Sequence, residues 1–525
     1  MQRRITRSLA TLLALTFLVA ACVAPTPTPG EKEAPGPAAA PAEGTTTQPQ
    51  RGGTLTIAIN SDVDGLDPHR TVALPTFDVI KSLYDTLVDV DHTGTLIPGL
   101  ATIWETSEDG LRWTFKLRQG VKFHNGRPMT ADDVAFSFQR LQGEESPRAK
   151  DYADIDHIET PDDHTVIFVL KKKSPPFLSN LAVGWAAIVP QEAADTLRDH
   201  PVGTGPFEFV EWVPDSHITL KRFGDYWMDD QPYVDEVVFR IITDPAVQLT
   251  SLKAGEVDMA PVLPQNAAEL EADPNIQVLS APVNPGATVT LLAINNKREP
   301  FTDIRVRQAL NYAIDKPALI EATQFGFATP IGSHMPPVSE YYVDLKDRYP
   351  YNPDKARALL AEAGYPDGFD TTITFANFDL HRRNAEVIAS QLAQVGIRAE
   401  LQSMELATWL DQVYRGRDYE LNTLSHSGRL DPDPFLNRFT CDSKENYRNY
   451  CNPEFDKLIA DGANTTDVEK RKEIYAEAQR MLAEDAVAVW LYTPDVILGA
   501  RAAVHDYTFR PISGMDLRGV WMSSQ

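Results

Sequence analysis

Residues 110–141 carry the sequence GLRWTFKLRQGVKFHNGRPMTADDVAFSFQRL, and this stretch decides the fold. Apolar Trp113, Phe115 and Leu117 alternate with polar residues, a period of two that is typical of a strand with one buried face. Gln119 and Gly120 follow and end the alternation. The block therefore opens with a predicted strand of about five residues.

The second half of the block predicts a turn and a capped helix. Val121 and Phe123 resume the period of two, and the Asn-Gly pair at residues 125–126 predicts a tight turn. Thr130 stands three residues before Asp133, which is the spacing of a capping box. The helix that follows has one apolar stripe, formed by Val134, Phe138 and Leu141.

This combination of residues resembles the signature of the family 5 extracellular solute-binding proteins, the peptide and nickel receptors of ABC importers. A strand, a turn and a helix alone would be weak support, but so many specific residues in this order are strong support. The resemblance runs from about Gly52 to the end of the chain. It includes further markers: YDTLV from Tyr84, LIPGLATIWE from Leu96, VGTGPFEFVEW from Val202, DYW from Asp225 and LKAGEVDMA from Leu252.

The resemblance implies a mixed α/β, two-lobed periplasmic-binding-protein-like fold, of the large class with an extra accessory lobe. In such proteins the first lobe is assembled from both ends of the chain, and two crossings form the hinge. Carried over to this chain, lobe I comprises residues 52–87, 201–290 and 496–525. The accessory lobe is residues 88–200, and lobe II is residues 291–495.

Composition sets limits on the function. The chain has 525 residues, 43% of them hydrophobic, enough for a large core and two or three lobes. Its formal net charge of −25 argues against a nucleic-acid partner, which requires basic patches. We expect a monomer without a cofactor.

The N-terminal residues predict export and lipid attachment. Three arginines precede the apolar run from Leu9 to Val19, and small residues lead to Cys22. This is a signal peptide (residues 1–21), and the cysteine resembles a lipobox cysteine, so we expect cleavage before Cys22 and acylation of its thiol. A signal peptidase I site with an incidental cysteine is the alternative. Residues 22–51 are mostly Pro, Ala, Thr, Gly and Glu, which predicts a disordered tether that holds the body near a membrane.

The rest of the chain has explicit helix and strand signals. Residues 53–60 predict the first strand of the folded body. Thr302 and Asn352 are expected to cap two helices, the second of them closed by Gly364. Residues 371–375 and 397–401 predict two strands, joined by a helix over 385–395 in a βαβ unit with a parallel pair. Further strands are predicted over 419–424 and 487–492.

The first candidate for ligand contact follows the sequence LDPHR. By the resemblance, Val72, Ala73 and Leu74 belong to a segment that lies along the bound ligand. Residues 60–65 imitate the start of a calcium loop, but Thr71 stands at the twelfth position, where a glutamate is required. We therefore expect no metal at this segment.

The second candidate is LSHSGRLDPDPF, residues 424–435. Peptide-binding relatives commonly place a Trp-x-x-Asp pattern here, whose aspartate pairs with the peptide ammonium. This chain departs from that pattern, with Ser425 at the tryptophan position and Gly428 at the aspartate position. The expected ligand-binding residues of this stretch are Ser425, His426, Ser427, Gly428, Arg429 and Asp431.

Arg429 stands beside the missing carboxylate. A guanidinium prefers a bidentate carboxylate or phosphate, which favours ligands that bear an anionic group, such as acidic or modified peptides. Alternatively, Arg429 pairs with Asp431 or Asp433 and contacts no ligand. The sequence leaves both interpretations open.

Cys441 and Cys451 remain once Cys22 is assigned to lipid. In an exported protein a disulfide is their expected state, and relatives often have such a bridge near the NPEFD motif at Asn452. Two free thiols or a metal pair are the alternatives, but no nearby histidine completes a zinc set.

Three functions can be compared. The leading hypothesis is a lipid-anchored receptor on the outer face of the cytoplasmic membrane or in the periplasm, which delivers a peptide or related small solute to an ABC permease. A nickel or metal-chelate receptor would use His426, Asp431 and Asp433. An enzyme is the third hypothesis, but the sequence has no GxSxG, HExxH, CxxC or Walker A motif, and His124 is better explained as a turn residue.

Overall fold

The structure is a computed structural model that describes residues 48–281, 288–426, 431–511 and 514–523, without the side chain of Leu74. Most strands belong to two large sheets. The first has seven strands, in the order β12-β19-β11-β1-β10-β9-β8. These strands are β1 (Thr54–Ile59), β8 (Phe207–Val213), β9 (His217–Arg222), β10 (Glu236–Ile241), β11 (Met259–Pro261), β12 (Ile276–Ala281) and β19 (Val496–Arg501).

The second large sheet has six strands, in the order β14-β18-β13-β17-β15-β16. They are β13 (Val289–Ile294), β14 (Ala328–Pro330), β15 (Phe369–Ala376), β16 (Ile397–Met404), β17 (Leu421–His426) and β18 (Ala488–Pro494). β15 and β16 pair in parallel, as predicted from the βαβ pattern, and β15 also pairs in parallel with β17.

A smaller antiparallel sheet, in the order β4-β5-β7-β6, is built around the block that opened the sequence analysis. It contains β4 (Ala101–Thr106), β5 (Arg112–Leu117), β6 (Ile155–Asp162) and β7 (Thr165–Leu170). Two further pairs are β2 (Val88–Val90) with β3 (Leu96–Pro98), and β20 (Val504–His505) with β21 (Trp521–Met522).

Thirteen helices are described. They are α1 (Leu74–Leu83), α2 (Ala131–Gln142), α3 (Phe177–Asn180), α4 (Pro245–Ala254), α5 (Pro264–Glu271), α6 (Ile304–Ala313), α7 (Lys316–Gln324), α8 (Pro353–Glu362), α9 (Asp379–Ala393), α10 (Leu406–Trp409), α11 (Pro432–Leu436), α12 (Pro453–Asn464) and α13 (Val468–Glu484). None of the described helices has both the length and the apolar composition to cross a bilayer.

The α2 helix shows why the signature block folds as it does. Its stripe of Val134, Phe138 and Leu141 is completely buried against Phe115 and Phe168 of the small sheet. Asp133 completes the capping box by accepting the Thr130 N–H at 2.9 Å. Apolar periodicity and capping therefore act together to place this helix.

Three local predictions need correction. Residues 121–123 form no strand, because the chain turns at once and leaves a single bridge between Lys122 and Pro128. The cap of α6 is Asp303, whose carboxylate accepts the Arg305 N–H, whereas the Thr302 hydroxyl bonds Glu299. α9 begins six residues before the predicted start at residue 385.

The order of strands explains how the chain is divided. The first sheet takes strands from both ends of the chain, and every strand of the second sheet lies between Val289 and Pro494. Residues 49–525 nevertheless form one compact unit. The lobe boundaries given above stay a prediction, and β13 starts two residues before the predicted beginning of lobe II.

Candidate functional site

Strand register shows where the two large sheets approach each other. In the first sheet Ala281, the last residue of β12, pairs with Val496, the first of β19. In the second sheet Thr290 of β13 pairs with Tyr492 of β18. The chain therefore leaves the first sheet and returns to it at one edge of that sheet. It likewise enters and leaves the second sheet at one edge. Since a single residue separates β18 from β19, the two edges must lie side by side, and the groove between them is the candidate site.

Asp495 is the residue between β18 and β19. Its N–H donates to the Phe327 carbonyl at 3.1 Å, which ties the crossing to the second sheet. Its Oδ1 is buried and has no hydrogen-bond partner among the described residues. Burial raises the pKa of Asp495 to about 6. The other crossing, residues 282–287, lies outside the described residues.

Val72 and Ala73 immediately precede α1. Asp64 holds them by accepting hydrogen bonds from the Thr76 hydroxyl at 2.9 Å, the Thr71 hydroxyl and, at 3.4 Å, the Val72 N–H. Burial opposes ionisation of Asp64, but these hydrogen bonds outweigh it and lower its pKa. Val72 is 58% exposed, and the ligand contacts expected of Val72 and Ala73 stay predictions. The side chain of Leu74 lies outside the description.

At the end of β17, the polar side chains of Ser425 and His426 bond other side chains of the protein. Ser425 is half-buried, and its hydroxyl bonds the Thr290 hydroxyl at 3.0 Å. His426 is turned into the protein, where its Nε2 shares a hydrogen bond of 3.0 Å with the Tyr447 hydroxyl. Burial, followed by the charges of Arg438 and Arg448, holds the pKa of His426 well below its usual range. His426 is thus a neutral, interior side chain.

Asp431 also has a partner within the protein. Its two carboxylate oxygens accept from Arg471 at 2.6 and 2.8 Å, and both side chains are buried. It also caps α11 through the Asp433 N–H. Arg471 is therefore the partner of Asp431, a role that one interpretation of the sequence gave to Arg429. Ser427, Gly428 and Arg429 lie outside the described residues, so their predicted ligand contacts stay predictions.

The residues of the metal hypothesis all have protein partners. His426 bonds Tyr447, Asp431 bonds Arg471, and Asp433 accepts the Tyr475 hydroxyl at 3.1 Å. Within the described parts of the chain, no three His, Cys, Asp or Glu side chains are grouped so that they could hold a metal ion. The geometry therefore gives no support to a metal-chelate site on this loop.

Sequence reasoning missed the first six residues of α9, residues 379–384. This helix begins just after β15 ends, and β15 runs parallel to β17, so the helix start lies at the same edge as Ser425. In open α/β sheets, ligands bind at the carboxyl ends of the strands. The signal available in the sequence was the pair of arginines, residues 382–383, between a predicted parallel strand and the helix predicted from residue 385.

Two side chains of this segment have polar atoms without a partner among the described residues. The Nδ1 of His381 and the Nε of Arg383 are both buried and unbonded among the described residues. Burial lowers the pKa of His381 to about 4, so this histidine is neutral at pH 7. Arg383 lies near Tyr492 of β18, whereas the adjacent Arg382 pairs on the surface with Asp379 and Glu386.

The remaining predicted residues that the structure describes, two cysteines and His124, bond other residues of the protein. Cys441 and Cys451 are joined by a disulfide, and the Cys441 N–H donates to Asp456 of α12 at 3.1 Å. His124 bonds the Gly205 carbonyl at 3.1 Å and accepts from the Gly203 N–H, so it fixes a turn. Cys22 lies outside the described residues.

Fold and site together define a class: two-lobed binding proteins whose ligand groove lies between two sheets joined by a hinge. Comparison with known proteins gives the family. The model of "Bacterial extracellular solute-binding proteins, family 5 Middle" matches residues 95–447. The chain belongs to this family, and the fold class expected from the sequence is confirmed.

Three relatives illustrate the similarity. The dipeptide-binding protein of Escherichia coli (strain K12) is 33% identical over 502 residues, which cover 87% of this chain and 92% of that protein. The structure of HbpA2 from Haemophilus parasuis is 29% identical and superposes with a TM-score of 0.82 over 90% of this chain and 100% of that one. The periplasmic binding protein DppA from Helicobacter pylori, in complex with the peptide STSA, is also 29% identical. It covers 90% of this chain and 99% of its own, with a TM-score of 0.70.

Proposed function

We propose that this protein is the extracytoplasmic receptor of an ABC importer, which captures a peptide-like solute in the groove between its two sheets and delivers it to a permease. The observation that carries the proposal is the pair of sheet edges joined by two crossings, with polar groups left unbonded beside them. Relatives that bind dipeptides, or are seen with a tetrapeptide, support the ligand class.

Arg383 gives the groove a group suited to a peptide. A buried guanidinium nitrogen without a partner costs free energy unless a ligand or water satisfies it. A carboxylate matches a guanidinium in charge and geometry. Arg383 is therefore the proposed partner of the ligand's carboxylate.

We infer that the structure corresponds to an open receptor. HbpA2 and the peptide complex of DppA have the same identity to this chain and the same coverage of it, but the peptide complex superposes less well, at 0.70 against 0.82. A different angle between the lobes would lower the TM-score in this way without a difference in fold. Ligand binding would shift the population towards a closed form, because only that form brings both edges into contact with the ligand.

The receptor role requires no cofactor and breaks no bond in the ligand. Peptide incubated with the protein should be recovered intact, as measured by chromatography and mass spectrometry. Hydrolysis that copurifies with the protein through several columns would contradict the receptor function.

Attachment to a membrane belongs to the same proposal. Cys22, acylated after removal of residues 1–21, would anchor the protein by its lipid at the outer face of the cytoplasmic membrane or in the periplasm, with residues 23–51 as its tether. Mass spectrometry of the mature N-terminus checks this. A start at any residue other than a lipidated Cys22 would contradict it.

The decisive experiment is calorimetric titration with unmodified and C-terminally amidated di-, tri- and tetrapeptides. We expect Arg383→Gln to weaken binding of free-carboxylate peptides at least about tenfold, since a hydrogen bond to a charged group contributes about 1.5–3 kcal/mol. The same substitution should change the affinity for the amidated peptides little. Arg382→Gln is the matched control, because Arg382 is exposed and paired on the surface. Absence of binding to every peptide would contradict the proposed ligand class.

A further inference from the structure

A cavity of about 150 Å³ opens at the hinge edge of the first sheet. Asn60, just past the end of β1, Pro261, the last residue of β11, and Val496, the first of β19, mark this edge. The pairing of Pro261 with Leu498 places the end of β11 and the start of β19 together. The cavity therefore borders the groove and the crossing at Asp495.

Most of the cavity wall is apolar. It includes Ile57, Ile59, Ile497, Leu498, Phe509 and Met515. Among the lining residues, the charged or titratable side chains are Asp78, Tyr507 and Arg510. Arg510 is already paired with Asp516 at 2.6 Å and lies 3.5 Å from Asp89.

Asp78 contributes the one carboxylate among the described residues that line this cavity. It lies in the second turn of α1, between the buried Phe77 and Val79, and is itself partly exposed. No hydrogen bond or ion pair to Asp78 is present among the described residues. Other acidic residues on or near α1 are engaged: Asp64 accepts the Thr76 hydroxyl at 2.9 Å, Asp85 accepts from Trp227 at 2.9 Å, and Asp89 pairs with Lys81.

An unpaired carboxylate in apolar surroundings destabilises a protein unless it becomes protonated or acquires a cation. Burial raises the pKa of Asp78 to about 7, and burial together with Asp78 raises that of Tyr507. Asp495, one residue before Val496, is the other carboxyl at this edge with a raised pKa. A carboxyl with these properties, in the wall of a cavity at the hinge edge and without a hydrogen-bond partner among the described residues, is suited to receive a cation from a ligand.

We propose that Asp78 binds the cationic group of the solute, a primary ammonium or guanidinium, with the apolar cavity wall packing against the carbons next to it. This inference rests on the proposed function, because it assumes that the solute enters the groove. It assigns the cation to lobe I, whereas Arg383 on lobe II receives the carboxylate. A zwitterionic solute would thus contact both lobes, which is what closure requires.

The test uses the full mature protein and a pool of random di- and tripeptides, prepared with free amino termini and, from the same synthesis, N-acetylated. Bound peptides are identified by native mass spectrometry, and the tightest is titrated by calorimetry. We expect wild type to prefer the free amine at least about tenfold, and Asp78→Asn to lose this preference while binding acetylated peptide like wild type. The control is Asp273→Asn, because Asp273 precedes β12 at the far edge of the sheet.

The outcomes separate the two proposals. If wild type binds neither pool, the proposed ligand class fails. If wild type prefers the free amine and Asp78→Asn keeps that preference, the receptor function stands and the role of Asp78 is overturned. Equal binding of both pools by wild type also overturns it.

Proton release gives a second readout. At pH 6.5 Asp78 is mostly protonated and a peptide amine is mostly charged, so formation of the ion pair must release a substantial fraction of one proton. The binding enthalpy of wild type should then depend on the ionisation enthalpy of the buffer, and that of Asp78→Asn should not. An identical dependence in both proteins would contradict a direct ion pair at Asp78.

Discussion

Asp431 illustrates how a side chain beside the groove can be fixed by a distant partner. Arg471 is 40 residues away on α13, yet it donates two hydrogen bonds to the Asp431 carboxylate. Tyr341 and Tyr475 pack their rings near the guanidinium of Arg471. The pair therefore anchors the end of the loop that begins after β17.

Arg471→Met should lower the free energy of unfolding by about 3–5 kcal/mol, because it leaves a buried carboxylate without a partner. Urea denaturation measures this. Arg480→Met on the same helix is the control, since Arg480 is exposed and its pair with Glu477 should contribute less than about 1 kcal/mol. Equal losses of unfolding free energy in both variants would show that the buried pair stabilises the protein no more than the exposed pair does.

Asp495 makes stability depend on pH. Its folded pKa of about 6 lies above the ordinary value of 3.8, so the native state binds more protons than the unfolded state between about pH 4 and 6. The contribution of this group to stability is therefore greatest below pH 4 and falls as the pH rises to 6.

Asp495→Asn should stabilise the ligand-free protein by roughly 1–2 kcal/mol at pH 7, because the partly buried charge is removed. The gain should largely disappear at pH 3, where both states of wild type are mostly protonated. Denaturation at the two pH values checks the sign. A gain that is equal at both would mean that ionisation of Asp495 is not its cause.

At the scale of elements, α2 depends on its first turn. Asp133 accepts the Thr130 N–H and also pairs with Arg127, so one carboxylate both caps the helix and holds the preceding turn. Neighbouring Asp132 is exposed and only bonds the Thr160 hydroxyl.

Asp133→Ala should cost about 1–2 kcal/mol of unfolding free energy, as expected for loss of a cap. Asp132→Ala should change it by no more than about 0.5 kcal/mol. Thermal unfolding of the two variants side by side measures the difference, and a larger effect at Asp132 would refute the assignment of the cap.

The same element shows what sequence can predict. Capping and apolar periodicity are local properties, so α2, α8 and the parallel pair β15 and β16 follow from residues close in the chain. Residues 121–123 have the same alternation as a strand, but no neighbouring strand runs beside them, and the chain turns instead. A strand needs a partner that local pattern cannot supply.

At the scale of the molecule, β19 makes the two ends of the chain interdependent. It lies inside the first sheet, between β11 and β12, although it comes more than 200 residues after both. The first sheet is incomplete until the chain has passed through the second and returned.

A chain that ends at Asp495 should therefore fail to form the first sheet, and circular dichroism should show loss of its cooperative thermal transition. A chain that starts at Pro49 keeps the entire compact unit and should unfold at the same midpoint as the full chain. A cooperative transition in the chain that ends at Asp495 would contradict this dependence.

Ligand binding should also stabilise the whole molecule. A peptide present at 100 times its dissociation constant should raise the free energy of unfolding by about 2.7 kcal/mol. Small-angle scattering should show a smaller radius of gyration at the same ratio, since closure narrows the groove. An unchanged radius at saturation would refute closure.

The sequence by itself determined the family, the mixed α/β class and most helices and strands, because these depend on motifs and periodicities that are local in the chain. Tertiary structure alone decided which side chains are available to a ligand. His426 and Asp431 were predicted ligand residues, but Tyr447 and Arg471 take up their hydrogen-bonding groups. Asp78 and Arg383, proposed above as ligand contacts, were not predicted, because the sequence does not show which polar side chains lack a hydrogen-bond partner among the described residues.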